Sequence, residues 1–359
     1  MEIPTINFGQ LEGEKRGETM ALLHHACEKW GFFQIENHGI DKELMEKVKQ
    51  FINIYYEEKL KDGFFKSDIS KALENKENAS NRDWESSFFI WHRPESNINK
   101  FADFSEDFRK TMEIYVNQLV KVAEKLSELM CENLGLEKDH IKKTFSGIKG
   151  PAVGTKVAKY PECPNPELVR GLREHTDAGG IILLLQDDQV PGLEFFKDGK
   201  WFKIPPSKNN TIFINTGDQI EVLSNGRGLR EHTDAGGIIL LLQDDQVPGL
   251  EFFKDGKWFK IPPSKNNTIF INTGDQIEVL RHGRYQSILH RVMTGKCGSR
   301  LSVATFYNPA GDAVISPAEK LLYPKNYSFK DYLKFYSSTK FSEKSGRFES
   351  MKNKENKEA

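Results

Sequence analysis

The chain has 359 residues, and its 51 Lys plus Arg nearly balance its 52 Asp plus Glu, giving a formal net charge of −1. This balance indicates neither a nucleic-acid partner nor an anionic membrane surface. No apolar run reaches the roughly 18 residues of a spanning helix, and the first residues (MEIP) do not begin a signal peptide. We therefore expect a cytoplasmic protein with reduced thiols at its four scattered cysteines, Cys27, Cys131, Cys163 and Cys297.

The first 150 residues are predicted to be mainly helical. Apolar residues recur at helical spacing before Gly31 and before Gly135, two glycines that suit the ends of helices. Asp41 is a suitable N-cap for a further helix. The predicted elements are a strand at 3–8, a helix at 18–30, a strand at 32–35, a helix at 42–59, a polar loop at 65–82 and a long amphipathic helix at 105–134.

After residue 151 the pattern changes to short β-rich runs between Gly, Pro, Asn and Asp, which is typical of an antiparallel sandwich or barrel. The runs are 154–160, 181–186, 193–196, 201–204, 211–216 and 221–223, their equivalents in a second copy, 286–294 and 301–307. Helix is predicted again from residue 328, before a polar tail. The expected organisation is an N-terminal helical region (1–110), a β core (151–310) and C-terminal helices with the tail (311–359).

A segment of 54 residues, 170–223, recurs without a single difference at 227–280. Each copy contains a His-Thr-Asp sequence, with His175 and Asp177 in the first and His232 and Asp234 in the second. One His-Arg-Val sequence follows, starting at His290. Two copies of a paired motif therefore compete for one later histidine.

The His-x-Asp motif indicates a metal site when a third ligand is available. Residues two apart on a strand share a face, and two imidazoles with one carboxylate form the facial triad that binds Fe(II) and leaves positions open. His290 is the candidate third ligand. Arg300 and Ser302 follow on the strand LSVATFY and share a face, where a guanidinium suits a carboxylate.

With these residues in place, the sequence resembles the Fe(II)-dependent dioxygenase superfamily of the 2-oxoglutarate enzymes, and more narrowly the plant 1-aminocyclopropane-1-carboxylate oxidases. The stretches that carry the resemblance span nearly the whole chain: CEKWGFFQIENHGI (27–40), DWESSFF (83–89), MCENLGLEKDH (130–140), GTKVAKYPECP (154–164), HTDAGGIILLLQDD and FYNPAGDAVISPA (306–318). The resemblance implies an α+β fold whose core is a double-stranded β-helix, or jelly roll, with an N-terminal helical region and C-terminal helices.

The resemblance also implies a reaction and a set of site residues. The reaction is oxidation of the cyclopropane amino acid with O2 and ascorbate to ethylene, CO2 and cyanide, at Fe(II) activated by CO2 or bicarbonate. The partners implied are small molecules, with neither nucleic acid nor membrane among them. Matching positions implicated in activity, cosubstrate binding or activator binding are Lys156, Tyr160, Arg230 or its equivalent Arg173, Arg300, Ser302, Arg347 and Glu349.

The choice of copy depends on where an insertion does least damage. Using the second copy keeps residues 229–307 continuous and places the first copy as an insertion in the Pro- and Asn-rich loop PECPNPELV. Using the first copy opens a hairpin near 224–226, whose short turn fixes strand register. The sequence therefore favours His232, Asp234 and His290 as the iron ligands, with His175 and Asp177 as the alternative copy.

Two other functions stay open at this point. One is a 2-oxoglutarate-dependent hydroxylase of the same superfamily, against which the FYNPAGDAVISPA stretch argues. The other is an inactive product of a recent duplication or of a gene-assembly error, because two old copies would be expected to have diverged.

Overall fold

The computed structural model describes residues 4–30, 32–77, 79, 81–175, 177, 181–186, 190, 192–197, 200–204, 212–216, 238–242, 250–254, 257–260, 269–273, 289–293, 298–315 and 327–339. The predicted α+β character is confirmed, since helices at both ends of the chain flank a set of largely antiparallel sheets.

The helices of the described part lie mainly before residue 150. They are α1 (Arg16–His25), α2 (Lys42–Tyr55), α3 (Lys61–Phe65), α4 (Asp68–Glu74), α5 (Glu106–Asn133), α6 (His140–Ser146) and α7 (Phe329–Thr339). Among them, none combines the length and the apolar character that crossing a bilayer requires.

Helix capping follows the sequence closely. The Asp41 side chain accepts from the backbone N–H of Glu43 at 3.1 Å, and the Ser105 hydroxyl accepts from Phe108 at the same distance. Both contacts satisfy N–H groups that the first turn of a helix leaves without partners. The predicted helix at 105–134 is confirmed as α5, and the helix predicted from residue 42 ends at Tyr55 before a π-helical turn.

One prediction in this half was wrong, and one strand was not predicted. The polar stretch 65–82, predicted as a loop, contains α4, because its few apolar residues, such as the buried Leu73, face a separate small core around Trp84. The run Ser86–Arg93, which the sequence left unassigned, is a strand. Three of the expected reduced cysteines, Cys27, Cys131 and Cys163, are buried and form no disulfide among the described residues, and the fourth lies outside them.

The described residues also form strands. They are β1 (Thr5–Asn7), β2 (Phe32–Glu36), β3 (Ser86–Arg93), β4 (Ala152–Tyr160), β5 (Leu172–His175), β6 (Ile181–Gln186), β7 (Leu193–Lys197), β8 (Lys200–Ile204), β9 (Ile212–Thr216), β10 (Ile238–Leu242), β11 (Leu250–Lys254), β12 (Lys257–Lys260), β13 (Ile269–Thr273), β14 (Leu289–Val292), β15 (Arg300–Asn308), β16 (Val314–Ile315) and β17 (Tyr327–Ser328). The strand predicted at 221–223 lies outside the described residues.

Two six-stranded sheets form the β core. The order in the first is β10-β9-β6-β15-β4-β3, and in the second β12-β11-β8-β7-β14-β5. A smaller sheet, β1-β2-β13, joins the N-terminal region to the second copy of the repeat. Each large sheet pairs strands from distant parts of the chain, such as β4 with β15 in the first and β5 with β14 in the second, as a jelly roll requires.

Among the described strands, β4 and β15 form the longest pairing, with nine residue pairs from Arg300 opposite Tyr160 to Asn308 opposite Ala152. On one face, Leu301 and Val303 of β15 belong to the main hydrophobic core, which also includes the buried side of α5. Because side chains alternate along a strand, Arg300 and Ser302 lie on the opposite face. The ladder thus separates the helix-packed core from a face with polar residues.

Both copies of the repeat pair with β15 in one register. β6 places Leu185 opposite Val303, and β10 places Leu241 opposite Ala304. Leu241 is the repeat equivalent of Leu184, the residue before Leu185, so β10 continues the register that β6 begins. Both β6 and β10 also pair with the same residue of β9. One position in the sheet therefore suits either copy.

A buried polar chain crosses three strands behind this ladder. Nε2 of His92 on β3 lies 2.9 Å from the hydroxyl of Thr155 on β4, which lies 2.9 Å from the hydroxyl of Thr305 on β15. Burial, with a smaller contribution from the adjacent Arg93, lowers the pKa of His92 from 6.5 to about 4. The folded protein therefore holds this imidazole neutral.

We expect this histidine to make stability depend on pH. The folded pKa lies below the unfolded value, so the stabilisation is complete above about pH 6.5 and is lost as pH falls towards 4. The loss amounts to at most about 3 kcal/mol, at 1.36 kcal/mol per pKa unit. Urea unfolding at pH 7 and pH 5 should show a smaller pH effect for His92→Gln than for the wild type; equal effects would contradict the assignment.

Candidate metal and carboxylate site

The first His-x-Asp motif stands opposite the later histidine. In the antiparallel β5–β14 pair, His175 and His290 are direct Cα partners, and the register shifts between this pair and the pair at Val292. Residues directly opposite in such a ladder lie about 4.5–5.5 Å apart and share a face of the sheet. Irregularities of this kind are frequent beside active sites, where they redirect a side chain.

The His175 side chain has the environment of a metal ligand. It is buried, and its Nδ1 lies 2.8 Å from the carbonyl oxygen of Arg173. A carbonyl can only accept, so Nδ1 carries the proton and Nε2 keeps its lone pair. That Nε2 lies 3.6 Å from Oδ1 of Asp177. An imidazole lone pair beside a carboxylate is a donor set that fits Fe(II).

Arg300 and Ser302 form the polar end of β15. Arg300 is buried, and its Nη1 donates to the hydroxyl of Ser302 in a short hydrogen bond. The guanidinium carbon lies 5.5 Å from the ring centroid of Tyr160, its cross-strand partner on β4. A buried guanidinium held on an aromatic face is well suited to bind a carboxylate. The structure thus brings together three of the residues that the sequence selected.

Lys156 and Tyr160 converge on one carboxylate, that of Glu85. The ammonium of Lys156 donates to both carboxylate oxygens, at 2.8 and 3.0 Å, and the hydroxyl of Tyr160 donates to one of them at 3.2 Å. Burial, followed by the charge of Glu85, raises the pKa of Tyr160 well above its usual value, against an opposing effect of Arg300. The tyrosine therefore stays protonated and remains a hydrogen-bond donor.

The two residues before Glu85 also contact site strands. Asp83 accepts from the backbone N–H of Arg173 at 2.6 Å and from its guanidinium at 3.0 and 3.2 Å. The indole N–H of Trp84 donates to the carbonyl of Pro161 at 2.9 Å, and Trp84 is almost completely buried. The segment Asp83–Glu85 therefore connects the end of β4 to the start of the first repeat copy.

Close packing brings the two large sheets together beside Arg300. A Cβ built on Gly192 would lie 2.6 Å from the carbonyl oxygen of Met293 and 3.0 Å from Cδ of Arg300. A Cβ on Gly171 would lie 3.0 Å from the ring of Tyr160. Glycine at these positions allows the backbone of the β5–β14 region to approach the carboxylate-binding residues.

Several predicted site residues cannot be placed. His232 and Asp234 of the second copy, Arg230, Arg347 and Glu349 lie outside the described residues. Among the side chains that the structure describes, no group of three possible metal ligands occurs; His175 and Asp177 are a pair, and His290 is placed by its backbone alone.

Two site-associated residues, Asp83 and Glu85, are not among the predicted site residues. The DWESSFF stretch that contains them contributes to the family resemblance alone. Two carboxylates flanking a tryptophan just before an apolar run could have suggested buried ion pairs, because acidic residues are rarely buried without a partner. The cations that they pair with lie more than 70 positions away, so the sequence could not identify them.

Two family profiles match this chain, one over the β core and one over the N-terminal region. The profile of the 2OG-Fe(II) oxygenase superfamily matches residues 153–228 and, separately, 227–309, so each repeat copy supports its own match. The profile described as non-haem dioxygenase in morphine synthesis N-terminal matches residues 3–107. A crystal structure of JOX2 in complex with 2OG, Fe and JA is 26% identical, covers 98% of this chain and 90% of that chain, and superposes with a TM-score of 0.69.

Individual relatives identify the branch. 1-Aminocyclopropane-1-carboxylate oxidase 1 of Arabidopsis thaliana is 58% identical over 352 residues, covering 98% of this chain and 95% of the relative. The 1-aminocyclopropane-1-carboxylate oxidase of Diospyros kaki is 41% identical over 359 residues, covering 97% of this chain and 94% of the relative. The chain is therefore a member of the 1-aminocyclopropane-1-carboxylate oxidase family, within the non-haem Fe(II) oxygenases.

Proposed function

We propose that this chain oxidises 1-aminocyclopropane-1-carboxylate with O2 and ascorbate to ethylene, CO2 and cyanide at one Fe(II), with CO2 or bicarbonate as activator. The register that places His175 opposite His290 is the observation that supports this proposal most directly. It aligns a His-x-Asp pair with a second histidine, which is the ligand set of this family. The proposed substrate is the one named for the oxidases that this chain resembles in sequence.

The reaction balances without 2-oxoglutarate. The cyclopropane amino acid loses two electrons and two protons as it breaks into ethylene, CO2 and hydrogen cyanide. Ascorbate supplies two more of each, and O2 leaves as two waters. Bound Fe(II) would supply the redox chemistry with O2, and the protein's residues hold it, bind the organic partners and exclude water.

We assign the iron ligands to His175, Asp177 and His290. The turn near 224–226 favours the second copy, whereas the β5–β14 register and the ion pair between Asp83 and Arg173 both support the first. Asp83 lies outside the repeat and bonds three times to the first copy. This contact from a unique part of the chain reaches the strand that carries His175, whereas the contact of the second copy with β2 lies on β13, which carries none of the proposed ligands.

Arg300 and Ser302 are proposed to bind a carboxylate of the substrate, of ascorbate or of the bicarbonate activator. The guanidinium is buried, which strengthens a charge-assisted hydrogen bond relative to the same contact in water. Tyr160 limits its movement by stacking against it. Lys156 and Tyr160 are proposed to complete the cosubstrate and activator site on the adjacent strand, and Arg173, in place of Arg230, would lie at its edge.

The proposed activity is tested by measuring the ethylene released into the headspace above the reaction. Purified protein with Fe(II), ascorbate and bicarbonate should release ethylene from the cyclopropane amino acid, and omission of any one component should reduce the yield. A parallel reaction with 2-oxoglutarate should form no succinate. Folded, iron-loaded protein that makes succinate but no ethylene would instead be the 2-oxoglutarate-dependent hydroxylase, and one that makes neither would be an inactive duplication product.

Single substitutions in the two copies test the ligand assignment. His175→Ala should lower Fe(II) affinity by more than about 100-fold, because even outer-shell partners of metal ligands contribute 10- to 100-fold. His232→Ala, the same change in the identical sequence context, should leave affinity nearly unchanged. Fe(II) titration of both variants measures this; the opposite pattern would assign the site to the second copy.

Removal of one repeat unit tests whether the second copy is needed. Deleting residues 227–283 joins Gly226 to Arg284 and keeps His175, Asp177 and His290. The turn it leaves is short, so the hairpin register is better defined than in the full chain. We expect the deletion variant to bind Fe(II) and to melt at least as high as the full chain by calorimetry; loss of Fe(II) binding would show that one copy cannot form the site alone.

A further inference from the structure

Glu85 immediately precedes β3, and its carboxylate contacts two of the predicted site residues, Lys156 and Tyr160. Its carboxylate has a side-chain exposure of 14%, and that of Lys156 is 26%. One oxygen of this carboxylate accepts from both Lys156 and Tyr160, and the other accepts from Lys156 and from the nearby hydroxyl of Ser87. Because the ion pair between Glu85 and Lys156 is partly buried, solvent and salt screen it less than a surface salt bridge.

The contacts continue from Glu85 to the carboxylate-binding arginine. Tyr160 uses its hydroxyl on Glu85 and its ring face on Arg300, so the carboxylate fixes the ring against which the guanidinium rests. Arg300 in turn donates to Ser302. Because Lys156 and Tyr160 are four residues apart on β4, they lie on one face of the strand, the face that also carries Arg300 through the cross-strand pair.

We propose that Glu85 is a positioning residue: it orients Lys156 and, through Tyr160, Arg300 for binding of a carboxylate ligand. Glu85 belongs to the N-terminal region and acts on residues of the β core across the β3–β4 pairing. This inference rests on the proposed function for the identity of the ligand, and on the hydrogen bonds alone for the orientation of the side chains.

A glutamine at this position keeps the shape and removes the charge. Glu85→Gln removes the negative charge and replaces one of the two acceptor oxygens by an NH2 donor, so the two-oxygen, charge-assisted contact with the Lys156 ammonium is lost. Loss of a charge-assisted hydrogen bond of this type corresponds to a change of about five-fold or more in binding. Binding that is equally strong in ground and transition states affects KM rather than kcat.

The kinetic test compares Glu85→Gln with Glu95→Gln. Glu95 pairs with Lys149 at 2.8 Å in an exposed salt bridge, so its substitution is the same chemical change in a different setting. KM is measured for the cyclopropane amino acid, ascorbate and bicarbonate. At least one should rise about five-fold or more in Glu85→Gln with kcat within about two-fold, and none should change in Glu95→Gln. Three unchanged KM values would overturn the inference.

A double-mutant cycle with Tyr160→Phe separates positioning from a general loss of stability. If Glu85 acts through the tyrosine, the effect of Glu85→Gln on KM should be clearly smaller in the Tyr160→Phe background. Fully additive effects would contradict the proposed connection. Tyr160→Phe also removes only one of the contacts to Glu85, and it serves as the test variant if Glu85→Gln does not fold.

A measurement without turnover keeps this inference distinct from the proposed function. Limiting acylation of folded protein with an N-hydroxysuccinimide ester, followed by peptide mass spectrometry, reports how freely the Lys156 ammonium leaves its carboxylate. Labelling of Lys156 should rise several-fold in Glu85→Gln and should not change in Glu95→Gln. An unchanged labelling rate would overturn the proposal that Glu85 holds Lys156 in place, even in an active enzyme. A wild type that forms no ethylene would instead overturn the proposed function, and the effect of Glu85 on Lys156 could still be measured.

Discussion

The β4–β15 ladder is the constraint on which the site depends. Its nine pairs fix which residues of two distant segments meet, and strand alternation then assigns every side chain to one of two faces. Leu301 and Val303 join the core beneath α5, while Arg300 and Ser302 lie on the other face. A slip of one residue would exchange the faces, so the apolar packing behind the sheet also keeps the polar residues in place.

The N-terminal helical region contributes more than a cover for the sheet. Its segment Asp83–Glu85 places three consecutive side chains on three different targets: a guanidinium on β5, a backbone carbonyl after β4 and an ammonium on β4. Consecutive strand-like residues point to alternating sides, so the middle residue, Trp84, can enter a small core of its own while its neighbours reach polar partners. Folding of the two regions is therefore coupled at the site.

The sequence predicted what is local and missed what depends on distant partners. The long helix α5, with its cap at Ser105, and the main β runs follow from periodicity and turn residues, and the His-x-Asp motif follows from strand geometry. Helix α4 and the role of Glu85 could not be predicted, because each depends on burial or on cations supplied from far along the chain. His175 lies opposite His290 because of the register between β5 and β14, and this register cannot be read from the sequence composition.

The shared register of β6 and β10 has a consequence for how the chain folds. Roughly twice as many residues separate β6 from β15 as separate β10 from β15. A doubled loop costs only about 0.6 kcal/mol of closure entropy, so chain proximity favours the later copy by little more than thermal energy. Chain length therefore hardly distinguishes two identical strands that share a register on β15. Contacts from outside the repeat act on each copy separately, such as Asp83 with the backbone N–H of Arg173 in the first copy and β2 with β13 in the second.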